Sequence, residues 1–130
     1  MRERSVVCDT SVLLYLGRIG HLDLLPALFA PIYIPEQVVL ELDMGKLLRH
    51  DTVDPRNLAW ATLVAVPQAS IDDLPPNRLG VGECAVIAHA STDDSIIAGL
   101  DDLQARRLAE TLGIRVVGTL PTLPLGTYHP

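Results

Sequence analysis

At 130 residues the chain sets a prior of one domain, of a size that buries roughly two thirds of its unfolded surface around one core. Its 48% apolar and 20% charged residues exclude a disordered chain, and no apolar run reaches the roughly 20 residues needed to span a bilayer. A formal net charge of −6 argues against a broad basic surface for nucleic acid, although acids gathered around a cation would inflate that count and reverse the local field.

The N-terminal MRERSVV carries basic residues without the apolar core or cleavage site of a secretory signal, so a cytoplasmic protein is expected. SVVC, residues 5–8, is β-branched and apolar and predicts a strand. Asp9 or Thr10 can cap a helix over VLLYLGRIG, with Gly17 and Gly20 weakening its far end. HLDLLPALF places Leu22, Leu25, Leu28 and Phe29 at helical spacing, with Pro26 near the first turn. PIYIP, 31–35, predicts a short strand, and PEQVVLELDMGK a helix with Pro35 at its first position.

Residues 44–60 lose periodicity and read as a loop or a short irregular helix. TLVAVP, 62–67, is another strand candidate, followed by SIDDLPPNRLG, a polar, proline-rich connection. GVGECAVIAHAS, 80–91, predicts a small-residue helix starting at a glycine pair. SIIAGL, 95–100, predicts a buried strand, DDLQARRLAETLG, 101–113, a helix closed by Gly113, and IRVVGT, 114–119, the last strand. The tail PTLPLGTYHP holds three prolines and cannot form a regular helix. Strands alternating with helices imply βαβ units, hence an α/β fold with a mostly parallel sheet, and the apolar strands imply cover on both faces.

Parallel α/β sheets build their sites at the carboxyl ends of strands. Asp9 follows the first strand, and Asp101 and Asp102 follow SIIAGL. Glu41 sits in the apolar stretch VVLEL, where Leu40 and Leu42 cannot both share its face, and Glu83 sits in the first turn of its helix. Each acid has a plain reading: cap, first-turn acid or solvated helix face. Together they raise another. Two like charges about 4 Å apart repel by about 4 kcal/mol at an effective dielectric near 20. If Asp9, Glu41, Glu83 and one of Asp101 and Asp102 converge, a hard divalent cation is the simplest counter-charge, since no lysine lies near them in sequence. Carboxylates suit Mg²⁺ or Mn²⁺, which polarise a phosphodiester and activate water. Thr10 or Ser11 can orient a carboxylate, and Arg106 and Arg107 can touch RNA phosphate or pair with acids on their own helix.

Other residues carry less. Cys8 and Cys84 lack paired spacing and are expected to be buried free thiols. The four histidines show no ligand spacing, and His89 is expected as a satisfied or partly exposed side chain of an apolar helix. GVG at 80–82 is too short for a phosphate-cradling fingerprint. A phosphoacceptor receiver-like domain would need a lysine after a later strand, and the single lysine, Lys46, falls in a loop-like region.

The segments VVCDTSVLLYL, YIPEQVVLEL, GVGECAVIAHA and IIAGLDDLQARRLAETLGIRVVGT, in that order over residues 5–119, resemble the PIN-domain family, in particular its branch of small VapC-like toxins. The resemblance implies a three-layer α/β/α fold and a Mg²⁺- or Mn²⁺-dependent endoribonuclease, the toxin of a toxin–antitoxin pair, often a homodimer, with RNA as substrate and a cognate antitoxin as partner. The family's acids match Asp9, Glu41, Glu83 and the Asp101/Asp102 pair, either of which can face the metal. Relatives in this branch continue past GT with a helix carrying basic residues. This chain instead has an irregular stretch over 120–130 within one domain of 1–130. That departure motivates the alternative of a PIN-like scaffold that has lost catalysis and acts by binding protein or RNA.

Overall fold

The computed structural model describes residues 4–46 and 53–119. The chain runs β1 (Ser5–Cys8), α1 (Thr10–Arg18), α2 (Leu24–Leu28), β2 (Ile32–Pro35), α3 (Glu36–Lys46), a 3-10 turn (Pro55–Asn57), β3 (Ala61–Val64), α4 (Gln68–Asp72), α5 (Val81–Ala90), β4 (Ile96–Gly99), α6 (Leu103–Thr111) and β5 (Val116–Val117). The strands form one five-stranded sheet in the order β3-β2-β1-β4-β5, and every pairing in it is parallel. The expected α/β architecture is therefore present, with a wholly parallel sheet.

The central place goes to β1, whose four residues are all buried. Valine and cysteine side chains fill both of its faces, as a strand covered on two sides requires. Residues paired in register share a face, and successive residues alternate. Val7 pairs with Tyr33, and the Tyr33 ring meets the edge of His89 on α5 at 4.7 Å, so α5 covers that face. Cys8 pairs with Gly99, and Gly99 with Val117, and all three line a groove against α1 and α2 on the opposite face. The core joins these layers through Leu13, Ile32, Ile34, Leu42, Ile87 and Leu100, none more than 1% exposed.

Local signals explain most boundaries. Asp9 caps α1, Asp102 caps α6, and Gly113 takes φ +79° just past α6, a left-handed conformation that glycine adopts without a Cβ penalty. Elsewhere the structure corrects the sequence. Pro35 ends β2 and the helix starts at Glu36. α3 continues through Lys46, so 44–46 are helical and Lys46 ends a helix; residues 47–52 lie outside the described residues. The polar connection begins with a short helix, α4, because Pro67 provides a ready start and Gln68 bonds to Asp72 one turn on. β3 is a four-residue edge strand with Thr62 and Leu63 exposed, and β5, at the other edge, has two residues, Val116 half-buried and Val117 exposed. The tail expectation for 120–130 falls outside the described residues. Both cysteines are buried and free. His89 is partly exposed, one of the two states expected of it; among the described residues its Nε2 has no hydrogen-bond partner, and burial lowers its pKa.

Leu13→Ala is expected to lower the unfolding free energy by about 3 kcal/mol. Leu63→Ala, on the half-exposed edge, is expected to cost less than about 0.5 kcal/mol. Urea denaturation of both variants measures the difference between sheet centre and sheet edge.

Candidate active site

The sheet order reverses at β1, which has β2 on one side and β4 on the other. Crevices form at such reversal points outside the carboxyl ends of the strands. Asp9 leaves β1 there, its N–H donating to the Gly99 carbonyl of β4 at 3.2 Å. Asp101 and Asp102 leave β4 two residues later.

Asp9 does two jobs with one carboxylate. Its Oδ1 accepts from the Val12 N–H at 3.0 Å and so caps α1. Its side chain, only 2% exposed, also lines a cavity of about 310 Å³ shared with Thr10, Ser11, Leu14, Glu41, Gly80 and Glu83. The cap and the site are not alternatives here.

Glu41 reaches that cavity from α3. Leu42 is buried and Leu40 stands 63% exposed, which leaves Glu41 half-buried between them. Both its oxygens are held: Thr10 Oγ1 donates to Oε1 at 2.6 Å, and the Gly82 N–H donates to Oε2 at 3.0 Å. Thr10 thus orients a carboxylate, as its place beside Asp9 suggested. Ser11 lines the cavity, exposed, without a hydrogen bond to an acid among those described. Glu83 folds back on its own helix start, Oε1 accepting from the Gly80 N–H at 3.0 Å.

The acid pair after β4 is placed differently. Asp102 accepts from the Ala105 N–H at 2.9 Å and caps α6. Asp101 is held by one residue: the Thr119 N–H donates to Oδ1 at 2.7 Å and Thr119 Oγ1 to Oδ2 at 2.6 Å. Neither lines the cavity of the other three. They still act on it through space, since Asp101 adds repulsion at Asp9 and Asp102 adds repulsion at Glu83. Arg106 tucks against Gly118 with its Nε buried and unpartnered, and Arg107 is exposed; neither forms an ion pair among the described residues.

Two contributors were not assigned a role from sequence. Gly82 is one: a Cβ there would collide with the Glu41 carboxylate, so only glycine lets that carboxylate lie on the helix start. The GVGE run held the signal, read from sequence only as the glycine pair that starts a small-residue helix. Thr119 is the other, in the GT that closes IRVVGT.

The electrostatics follow from burial and like charge. Burial lifts the Asp9 carboxyl most; the Val12 hydrogen bond opposes this, and the charges of Asp101, Glu83 and Glu41 add to it, pushing its pKa up to about 7. Glu83 is raised by burial, opposed by the Gly80 hydrogen bond and assisted by Asp102 and Glu41. Burial also raises the Cys8 thiol, with help from Asp9 and Asp101, so it stays protonated. An all-oxygen donor set short of positive charge fits a hard divalent cation in its chemistry. Among the described residues no three Asp, Glu, His or Cys side chains converge closely enough to ligate one ion. A hard cation held by one or two carboxylates and several waters is compatible with that spacing.

A carboxyl whose folded pKa exceeds its unfolded value binds its proton more tightly when folded, so stability is highest below the unfolded pKa and falls as pH rises through the folded one. For Asp9 that window runs from 3.8 to about 7. Asp9→Asn keeps a capping oxygen and removes the charge. In EDTA it is expected to be more stable than the parent, by about 2 kcal/mol more at pH 8 than at pH 5, read by urea denaturation. Gly82→Ala is expected to push the Glu41 carboxylate aside and break its bond to the residue 82 N–H, yet to change the unfolding free energy by less than about 1 kcal/mol, because the displaced atoms end a flexible side chain and alanine favours the helix; urea denaturation at neutral pH measures it.

A family model for the PIN domain matches residues 5–125. No curated protein matches the chain in sequence. Among solved structures, the PIN domain endonuclease Utp24 superposes with a TM-score of 0.59 over 89% of this chain and 85% of that chain, at 10% identity, a likeness of fold. The parallel sheet, the acids at its reversal point and a match running from the first strand past Thr119 agree: this chain belongs to the PIN-domain family.

Proposed function

We propose that the protein is a metal-dependent endoribonuclease that hydrolyses RNA phosphodiester bonds. The observation that carries this reading is the buried Asp9 carboxylate sharing one cavity with Glu41 and Glu83 at the reversal point of a PIN-domain sheet. Asp9 and Glu83 each keep one carboxylate oxygen without a hydrogen bond from the described residues, and these are the groups we assign to Mg²⁺ or Mn²⁺. When bound, such an ion supplies the Lewis-acid charge that polarises a phosphodiester and lowers the pKa of water. Glu41, fixed by Thr10 and Gly82, holds negative charge at the cavity wall and orients what enters it. Asp101 and Asp102 add negative potential from the end of β4, the sign that draws a cation inward. Arg106 and Arg107 on α6 are assigned to RNA phosphate.

The sequence resemblance to VapC-like toxins extends the proposal to biology: the toxin of a toxin–antitoxin pair, acting in the cytoplasm as a homodimer and checked by a cognate antitoxin. No helix among the described residues is long and apolar enough to cross a membrane. A second reading, a PIN scaffold that binds without cutting, is favoured by one observation: both Asp101 oxygens are already held by Thr119.

Purified protein is expected to cleave RNA with Mn²⁺ or Mg²⁺ and not with EDTA, and Asp9→Asn to lose at least about a hundredfold in rate. The cation is also expected to raise the melting temperature of the parent and not of Asp9→Asn, because an ion that binds only the folded state stabilises it by mass action. Stabilisation without cleavage on any RNA tested would select the scaffold reading. Cleavage that survives Asp9→Asn would reject the site. In a bacterial host, the parent is expected to arrest growth and Asp9→Asn to leave it unaffected.

A further inference from the structure

The polar connection from α4 to α5 ends at Gly80, a residue that lines the acid cavity. Two residues before that glycine stands Arg78, exposed and, among the described residues, without a hydrogen bond or ion pair. One side chain holds this stretch in place. Asn77 Oδ1 accepts from the Leu79 N–H at 2.9 Å and from the Cys84 thiol at 3.4 Å, and Asn77 Nδ2 donates to the Pro75 carbonyl at 2.8 Å. Cys84 is buried on α5, and burial, with the charge of Glu83, raises its pKa and keeps the thiol able to donate. Arg78 therefore sits between two residues bonded to each other, one of them bonded to α5. A loop fixed in advance saves the ordering cost when its side chain binds.

A cavity lined by acids needs positive charge beside it before a phosphate can approach. Two backbone donors at the start of α5 are already committed, the Gly80 N–H to Glu83 and the Gly82 N–H to Glu41. Other arginines are badly placed. Arg4 precedes β1 and Arg115 precedes β5, at the amino ends of a parallel sheet whose acids follow the carboxyl ends. Arg18 closes α1, about 12 Å along the helix from its start beside Asp9. Arg56 is paired with Asp43 and Asp54. Arg106 and Arg107 lie on α6, beyond the acid pair that does not line the cavity.

We propose that Arg78 binds a phosphate of RNA beside the acid cavity and that Asn77 positions it there. This rests on the nuclease reading and adds to it a cation on the α5 side, where Arg106 and Arg107 serve the α6 side. The guanidinium offers a planar fork of donors that matches two phosphate oxygens. Asn77 touches no substrate; it acts by holding the backbone on either side of Arg78.

The test reads binding apart from cleavage. Asp9→Asn protein in EDTA is titrated into a fluorescently labelled single-stranded RNA, and anisotropy is followed from about 50 to about 200 mM salt. Each phosphate contact to a single strand adds about 0.7 to the slope of log affinity against log salt. Adding Arg78→Gln is expected to lower that slope by about 0.7 and the affinity at the lowest salt by about fivefold. Arg78→Lys is expected to keep the slope. Asn77→Ala, which removes no charge, is expected to keep the slope and weaken binding at least about twofold. Arg56→Gln is expected to change neither, since Asp43 and Asp54 already neutralise that cation. An unchanged slope in Arg78→Gln overturns the proposal and leaves the nuclease reading standing, as does a slope that falls equally in Arg56→Gln. Unaltered affinity in Asn77→Ala overturns the positioning role. If the RNA binds at no salt concentration the proposal fails, and cleavage by the parent then decides the nuclease reading on its own.

Discussion

A carboxylate at the end of a central parallel strand has almost no water to solvate it. Asp9 lies there, 2% exposed, with like charges from three directions. Burial alone disfavours its ionised form, and its neighbours add to the cost. One backbone hydrogen bond, from Val12, works the other way. The fold thus holds a group in a state it would not choose in water, a feature concentrated at sites that do chemistry.

The surrounding residues show that this arrangement is built. Glu41 is gripped by a hydroxyl next to Asp9 in the chain and by a backbone N–H forty-one residues further on, at a glycine whose missing side chain makes the room. Glu83 is tied to its own helix start. Three separate helices therefore bring acids to one cavity, each restrained by a bond that leaves charge facing inward. The apolar layer of Leu13, Val38, Leu42 and Val86 fixes where those helices sit, so the packing that stabilises the fold also sets the spacing of the acids.

The pair after β4 divides its work. Asp102 serves its helix, as an acid before LQARRL would in any protein. Asp101 is bound to the end of the last strand and repels Asp9 from there. The acid cavity lies beside α1, α3 and the start of α5, the apolar groove beside α1 and α2, and Thr119, which holds Asp101, is among the residues lining the groove.

Much of this was legible in the sequence because it is local. A β-branched run ending on Asp9 made a strand and a capped helix, DD before LQARRL made another cap, Gly113 closed the helix, and alternation of strand and helix made a parallel sheet. These depend on propensity and hydrogen bonds within a few residues, which periodicity and residue type report directly. The edges were less legible: β3 and β5 are short and half-exposed because they have one neighbour instead of two, and that is a property of strand order. Strand order likewise brought Asp9 beside Gly99, Glu41 onto Gly82 and Asp101 onto Thr119, contacts between segments whose separation no local pattern encodes. The sequence by itself determined which acids stand at strand ends and helix starts. Only the tertiary structure decided which of them share a cavity, because that depends on how the sheet orders its strands and how closely two helices can approach at a glycine.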